Sequence, residues 1–178
     1  MKKAFTLIEM LVVVGVIAFI LPVVFTIVFA ILRQQAKIYA LQEVKRQGDF
    51  ILSNIRTNLK NSAATVHSGP PDESNLVCNT ANSSNSGPLY FRDRFNNNFW
   101  YSTNSDIVAS NSSILEATLN LTNDKVRVES ISISCERQAT FSSPVISISY
   151  TVDYDTSSTR AEDKASFNYQ TKIQLRSY

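Results

Sequence analysis

The chain has little of the chemistry that enzymes and metal sites use. Its 178 residues include one histidine, His67, two cysteines and four glycines. One histidine in a Ser/Gly/Pro stretch cannot build a Ser-His-Asp or Cys-His set without a second anchoring element. One His and two distant Cys lack the spacing of zinc ligands, and the glycines form no phosphate loop. We therefore expect no enzyme, no cofactor and no metal site.

The chain also has no large excess of positive or negative charge, because 17 basic residues nearly balance 15 acidic ones. The basic residues are spread along the chain. This balance gives no direct case for a nucleic-acid partner. One acidic cluster surrounds a predicted hairpin turn near the C-terminus. It comprises Asp153, Asp155, Glu162 and Asp163. A solvated turn, partly neutralised by Arg160 and Lys164, is the preferred interpretation, and calcium is the alternative.

Charged side chains are absent from Met10 to Leu32, where Thr26 is the only polar side chain. A helix of that length spans about 34 Å and can cross a hydrocarbon core of about 30 Å. The run is too long for an ordinary secretory signal peptide. Lys2 and Lys3 before the run predict that the N-terminus stays in the cytoplasm and the C-terminus is exported.

Glu9 is the lone carboxylate at the head of this apolar run. An ionisable residue in a membrane-length segment is costly, so it indicates a function with a partner. A simple membrane anchor explains the length and the flanking charges and gives Glu9 no role.

The first ten residues, MKKAFTLIEM, resemble the leader and helix start of type IV prepilins and type II secretion pseudopilins. The resemblance implies that a prepilin peptidase cuts between Ala4 and Phe5 and methylates the new N-terminus at Phe5. The family usually has glycine before the cut, where this chain has Ala4. The detailed match covers about the first thirty residues.

The same resemblance implies assembly roles for Glu9 and Pro22. Glu9 matches the acidic residue of the family, and we expect it to pair with the α-amino group of Phe5 on its own or a neighbouring subunit. Pro22 lies in the region where pilin helices are often broken, and it removes one helical hydrogen bond. A tolerated kink in a membrane helix is the alternative interpretation for Pro22.

Beyond the apolar run, residues of one helical stripe predict that the helix continues to about Asn61. The stripe consists of Leu41, Val44, Gly48, Ile51, Leu52, Ile55 and Leu59. It predicts a packing surface on a soluble domain. Asn61 to Pro88 is rich in Ser, Asn, Gly and Pro and predicts a long surface loop with one short strand at Asn75 to Cys78.

After Pro88 the apolar period changes to two, which predicts β-strands. Leu89–Arg92 and Phe99–Ser102 flank a polar turn and predict a hairpin. Apolar residues alternate in four later segments, beginning at Leu115, Val126, Ile146 and Ala165, with a bulge predicted near Glu129–Ser130. One apolar face per strand predicts an antiparallel sheet that the helix stripe covers.

The predicted fold is therefore α+β, with a long N-terminal helix packed on a C-terminal antiparallel sheet, which is also the plan of pilins. The predicted segments are a leader, a polymerisation helix, its amphipathic continuation and an exported β-rich domain. They span residues 1–4, 5–32, 33–61 and 62–178.

Cys78 and Cys135 both fall in the exported part. An even number of cysteines in an oxidising compartment indicates a disulfide between them, and two free thiols are the alternative.

The resemblance implies a structural subunit, a minor pilin or pseudopilin, of a type IV pilus or type II secretion-like filament. Its expected partners are other pilin or pseudopilin subunits, the prepilin peptidase, an inner-membrane assembly platform and membrane lipid. It would cross the cytoplasmic membrane once, with its C-terminal domain outside, before entering a surface or periplasmic filament. The alternatives are a major pilin and a membrane-anchored exported binding module that never polymerises.

Overall fold

The computed structural model describes residues 6–70, 73–113 and 117–176. It has the predicted α+β architecture, with one long N-terminal helix packed with antiparallel β-sheets. The helix, α1, is Leu7–Ser62. The strands are β1 Thr65–His67, β2 Leu76–Val77, β3 Ser83–Ser86, β4 Tyr90–Arg92, β5 Asn98–Asn104, β6 Ile107–Ser112, β7 Ala117–Asn120, β8 Val126–Arg137, β9 Val145–Tyr154 and β10 Ser166–Gln174. Short 3₁₀ turns lie at Glu73–Asn75 and Ala161–Asp163.

Helix α1 runs without a break through two different environments. Its first half is exposed along its length, whereas its second half buries one stripe against the sheets. The predicted stripe is confirmed. Val44, Gly48, Ile51, Ile55 and Leu59 are buried, and Leu41 and Leu52 pack against the same core. The helix ends where Ala63 turns to extended backbone and donates its N–H to the Leu59 carbonyl at 3.2 Å.

The strands form two antiparallel sheets, whereas the sequence predicted one. The six-stranded sheet has the order β2-β1-β4-β5-β6-β7, and the four-stranded sheet has the order β10-β9-β8-β3. Helix α1 packs mainly on strands β10 and β9 of the four-stranded sheet and on the 3₁₀ turn at Ala161–Asp163, with fewer contacts to β8. The core is one continuous cluster that includes α1 and strands of both sheets.

The prediction of a long loop from Asn61 to Pro88 is wrong in part, because this stretch supplies three short strands. The predicted short strand at Asn75 to Cys78 is present as β2. Strands β1 and β3 lacked a detectable signal, since β1 has only three residues and β3 reads Ser-Ser-Asn-Ser. Both are held by backbone pairing, β1 with β4 and β3 with β8, which needs no apolar alternation.

The predicted hairpin between β4 and β5 is confirmed, with Tyr90 opposite Trp100. The Asp93 carboxylate shapes its turn by accepting the backbone N–H groups of Phe95 at 2.7 Å and Asn97 at 2.8 Å. Asn96 adopts a left-handed backbone with φ of 65°, a conformation that asparagine tolerates better than most residues. The polar turn residues therefore set the hairpin.

The predicted bulge in β8 is also confirmed. The pairing of β8 with β9 shifts between Val128 and Ile131, so that Val128 lies opposite Val152 and Ile131 lies opposite Tyr150. The shift lets both Val128 and Ile133 point into the core despite their opposite phases.

The alternation predicted from Leu115 to Leu121 does not hold throughout. Leu115 lies outside the described residues, and Leu121 is buried, but Leu119 is 62% exposed. Strand β7 is the last strand of its sheet, and Leu119 lies opposite the partly exposed Ser110. Leu119 therefore faces outward, where no second layer covers it.

Two stacked tyrosines join α1 to the four-stranded sheet at Gly48. The rings of Tyr150 and Tyr169 are 5.2 Å apart and nearly parallel. Tyr150 donates its hydroxyl to the Gly48 carbonyl at 2.8 Å, and Tyr169 donates to the Lys45 carbonyl at 3.2 Å. Burial raises the pKa of Tyr169 to about 12 and raises that of Tyr150 as well, so both hydroxyls remain donors well into the alkaline range.

Gly48 is required for this contact. A Cβ at position 48 would overlap the Tyr169 ring, with the hydroxyl oxygen only 2.6 Å away. The sequence shows a glycine that weakens a helix by about 1 kcal/mol, and the structure shows that its missing side chain makes room for the tyrosine.

The bridge between Cys78 and Cys135 is present, with Cα atoms 6.3 Å apart. Cys78 follows β2 of the six-stranded sheet and Cys135 lies in β8 of the four-stranded sheet, so the bond ties the two sheets together. Closing a loop with a sequence separation of 57 contributes about 4 kcal/mol in the chain-entropy model.

Gly48→Ala should destabilise the domain by about 2 kcal/mol, because the overlap with Tyr169 costs more than alanine gains in helix propensity. Urea unfolding of the detergent-solubilised chain, followed by fluorescence of its single tryptophan, Trp100, measures the change. Ser53→Ala, on the exposed face of α1, is the matched control and should change stability by less than about 0.5 kcal/mol. Equal or greater stability of Gly48→Ala would contradict the role of this contact.

Candidate assembly surface

Glu9 lies in the first turn of α1 and closes a capping box with Thr6. One carboxylate oxygen, Oε2, accepts the Thr6 backbone N–H at 2.9 Å and the Thr6 hydroxyl at 3.0 Å. The Thr6 hydroxyl in turn accepts the Glu9 N–H at 3.4 Å. Glu9 therefore caps its own helix in this structure. The four-residue pattern Thr-x-x-Glu before an apolar run is the sequence signal for this box.

The apolar half of α1 has no cover within the chain. It contains a window apolar and long enough to cross a membrane, and none of that window is buried against the rest of the described protein. Its large side chains are mostly half exposed or more, and Leu7 and Phe19 reach 83%. A continuous apolar surface of this size needs lipid or other helices around it.

Pro22 is accommodated inside α1, which stays helical from Leu7 to Ser62. The Thr26 hydroxyl donates to the Pro22 carbonyl at 2.8 Å, a local bond that Ser and Thr often make in apolar helices. The cleavage pair Ala4 and Phe5 lies outside the described residues. The assembly role of Pro22 and the processing at Phe5 both stay predictions.

A second carboxylate, Glu43, is buried at the junction of α1 with the β domain, with 6% exposure. Its Oε1 accepts bonds from Arg46 at 2.8 Å, Asn123 at 2.8 Å and Gln47 at 3.4 Å. Burial works against ionisation of Glu43, but these hydrogen bonds outweigh it, led by that of Asn123, and hold its pKa below the ordinary value. Glu43 lies outside the predicted apolar stripe of the helix, and its contact with Asn123, 80 residues away, has no local sequence signal.

The single histidine makes close polar contacts with neighbouring side chains. His67 lies in β1 and not in a loop, and it is buried. Its Nδ1 lies 3.0 Å from the Asn75 amide oxygen and its Nε2 lies 2.9 Å from the Thr65 hydroxyl. Because Asn75 Oδ1 can only accept, Nδ1 carries a proton and donates it to this oxygen.

The acidic cluster near the C-terminus is divided among separate partners. Asp155 pairs with Arg127 at 3.1 Å, and Asp163 accepts the Ser158 hydroxyl at 2.6 Å. Within residues 6–70, 73–113 and 117–176, no group of three or more His, Cys, Asp or Glu side chains is placed to hold a metal ion.

The end of the domain farthest from the apolar half of α1 presents two exposed phenylalanines. Phe95 is 71% exposed in the β4–β5 turn, and Phe141 is fully exposed between β8 and β9. The Arg94 guanidinium lies 5.0 Å from the centre of the Phe95 ring. Arg137 donates to the carbonyls of Asn79 at 2.9 Å and Ala139 at 3.3 Å and so braces the turn that carries Phe141. Hydrogen bonds from Arg137 thus hold the turn in which Phe141 is exposed to solvent.

Comparison with protein-family models, with curated proteins and with solved structures finds no match to this chain.

Lowering the pH should remove the contribution of Glu43 to stability. Its pKa is lowered in the folded state, so the contribution is present above the pKa of the unfolded chain and is lost as pH falls through the folded value. We expect Glu43→Gln to be less stable than the parent by about 1–3 kcal/mol at pH 7, with the difference shrinking below about pH 5. Urea unfolding of both chains between pH 7 and pH 3 measures this difference.

Glu136→Gln, at an exposed position in β8, is the control and should track the parent at every pH. If the difference in unfolding free energy between Glu43→Gln and the parent stays constant from pH 7 to pH 3, ionisation of Glu43 is not its cause.

Proposed function

We propose that this protein is a prepilin-like structural subunit, a minor pilin or pseudopilin that enters a type IV pilus or type II secretion-like filament after leader cleavage. The observation that carries the proposal is the division of α1. One half is uncovered and apolar, and the other half of the same unbroken helix is fixed to a β domain. Such a helix can first be covered by lipid and later by the helices of neighbouring subunits.

Residues at the N-terminus supply the chemistry for that exchange. Cleavage between Ala4 and Phe5 would place a new ammonium group one residue before Thr6, whose N–H already donates to Glu9. Among packed helices, where water is excluded, the Glu9 carboxylate needs a cationic donor, and the Phe5 amine provides one. In this scheme the capping box holds Glu9 before assembly and the amine holds it afterwards.

The setting of the proposal follows from these parts. The chain would insert once into the cytoplasmic membrane with its β domain outside, meet the prepilin peptidase and the inner-membrane assembly platform, and then join other pilin or pseudopilin subunits. A disulfide between the two sheets suits an oxidising compartment.

A second candidate is a membrane-anchored exported module that binds a partner and never polymerises. Two observations favour it. Glu9 already has donors within its own chain, which lowers its need for a neighbour. Phe95 and Phe141 stand in solvent at the far end of the domain, where a partner could reach them.

Three substitutions at the start of α1 separate the two candidates. Glu9→Gln keeps a hydrogen-bond acceptor for the capping box and removes the charge, whereas Thr6→Val removes the hydroxyl and keeps the charge. If Glu9 pairs with the Phe5 amine, Glu9→Gln and Glu9→Ala should each lower incorporation into filaments at least tenfold, and Thr6→Val should incorporate normally. Quantitative immunoblots of sheared filaments and of membranes from the native host measure incorporation and insertion.

The control is that all variants remain in the membrane fraction and that their mature chains begin at Phe5 by mass spectrometry. Normal incorporation of Glu9→Gln would show that the carboxylate serves only as a helix cap and would reject the assembly role.

A further inference from the structure

An open cavity, lined by both polar and apolar groups, lies where the domain meets the membrane-length part of α1. Its volume is about 560 Å³. Lys37 and Leu41 of α1 form one wall, and the start of β8, the end of β9 and the start of β10 form the others. Lys37 is five residues beyond Leu32, or about 8 Å along the helix. The polar layer of a bilayer is roughly 5–7 Å thick on each side, so the cavity adjoins the headgroups when α1 is inserted.

The cavity carries charges of both signs. Lys37, Arg127 and Lys164 are its cations, and Asp153 is its anion. Asp153 lies directly opposite Arg127 on one neighbouring strand and Ser166 on the other. The hydroxyl residues Thr156, Ser158 and Ser166 complete the polar lining.

Hydrogen bonds and ion pairs among the described residues use only some of the polar groups that line the cavity. Lys37 Nζ donates to the carbonyls of Ala161, at 3.1 Å, and Lys164, which fixes one wall and leaves one of its three protons. Asp155 binds Arg127 through Nε, so the two Nη groups have no partner among the described residues. The Lys164 ammonium and the Asp153 carboxylate likewise have no hydrogen-bond or ion-pair partner within the described parts of the chain.

The surroundings do not favour a purely anionic ligand. Arg160 adds a fourth cation near the cavity, and Asp155, Glu162 and Asp163 add anions, so the region is close to neutral. A ligand that carries both an anion and a hydrogen-bonding cation can bind groups of both signs, whereas a simple anion makes no favourable contact with the half-buried Asp153.

We propose that this cavity binds the phosphoethanolamine headgroup of a membrane lipid. The phosphate would accept bonds from Lys164 and the Arg127 Nη groups, and the ammonium would donate to Asp153. Both sets of bonds are charge-assisted. The inference rests on the membrane insertion proposed above, and the site would hold the subunit at the bilayer surface before it leaves the lipid.

Native mass spectrometry of the full chain in a neutral detergent tests the proposal. Phosphatidylethanolamine, phosphatidylcholine and phosphatidylglycerol with identical acyl chains are added in equal amounts, and the lipid adducts are counted. We expect the ethanolamine lipid to be retained about tenfold more than either other lipid, because the choline group has no N–H and the glycerol group has no positive charge.

Two variants test the proposed contacts, and a third variant serves as the control. Asp153→Asn should reduce retention of the ethanolamine lipid to that of the choline lipid, and Lys164→Glu should reduce both. Lys172→Glu, an exposed residue of β10 outside the cavity, should change neither. An intact Cys78–Cys135 bridge and unchanged urea unfolding would show that the variants are folded.

Equal retention of the three lipids, or a preference that survives both cavity variants, would overturn the proposal. Displacement of the lipid by free O-phosphoethanolamine at micromolar concentration would overturn the assignment to lipid and identify a soluble ligand. Alkaline extraction of membranes tests membrane insertion separately. Release of the chain into the soluble fraction would reject the proposed membrane role. The lipid-adduct experiment tests binding in the cavity independently of that result.

Discussion

The structure depends on the rigid connection between the two halves of α1. The helix is unbroken from Leu7 to Ser62, so any surface that covers its apolar half also fixes the height and direction of the β domain. The domain is attached to this helix by directional contacts as well as by apolar packing. Tyr150 and Tyr169 donate hydrogen bonds to the backbone carbonyls of Gly48 and Lys45. Asn123 donates to the buried Glu43 carboxylate. A loosely attached domain could move independently of the helix. These contacts instead fix the position of the β domain relative to α1.

Under the proposed function, Glu9 would change its partner on assembly and would not be left as an unpaired charge. In an isolated chain the carboxylate is exposed and is satisfied by the N–H and hydroxyl of Thr6. When helices pack around it, loss of water raises the value of a full counter-charge. The difference between these two environments is what can make a single carboxylate useful for docking. It also explains how the unassembled chain tolerates the charge.

Much of the fold could be predicted from the sequence, because the strongest patterns come from buried periodic residues. The stripe from Leu41 to Leu59, the β4–β5 hairpin and the β8 bulge belong to this group. Features that depend on contacts between distant residues could not be read. Strand β3 has no apolar side chain to alternate, and Glu43 is buried and bonded to Asn123, which is 80 residues away in the sequence. The absence of a side chain at Gly48 is explained only by the nearby Tyr169 ring. For the candidate site, Glu9 and the apolar run could be identified from the sequence. The capping box of Thr6 and Glu9 also has a local sequence signal, Thr-x-x-Glu before an apolar run.

The most direct test concerns what covers the apolar half of α1 in the cell. A photo-crosslinking amino acid at Ile17, which is 47% exposed in the single chain, can be activated in the native host and its products identified by mass spectrometry. The account predicts lipid adducts in the membrane fraction and adducts to the N-terminal helices of other subunits in filaments sheared from the cells. Lipid adducts alone, with no chain in the sheared material, would contradict it.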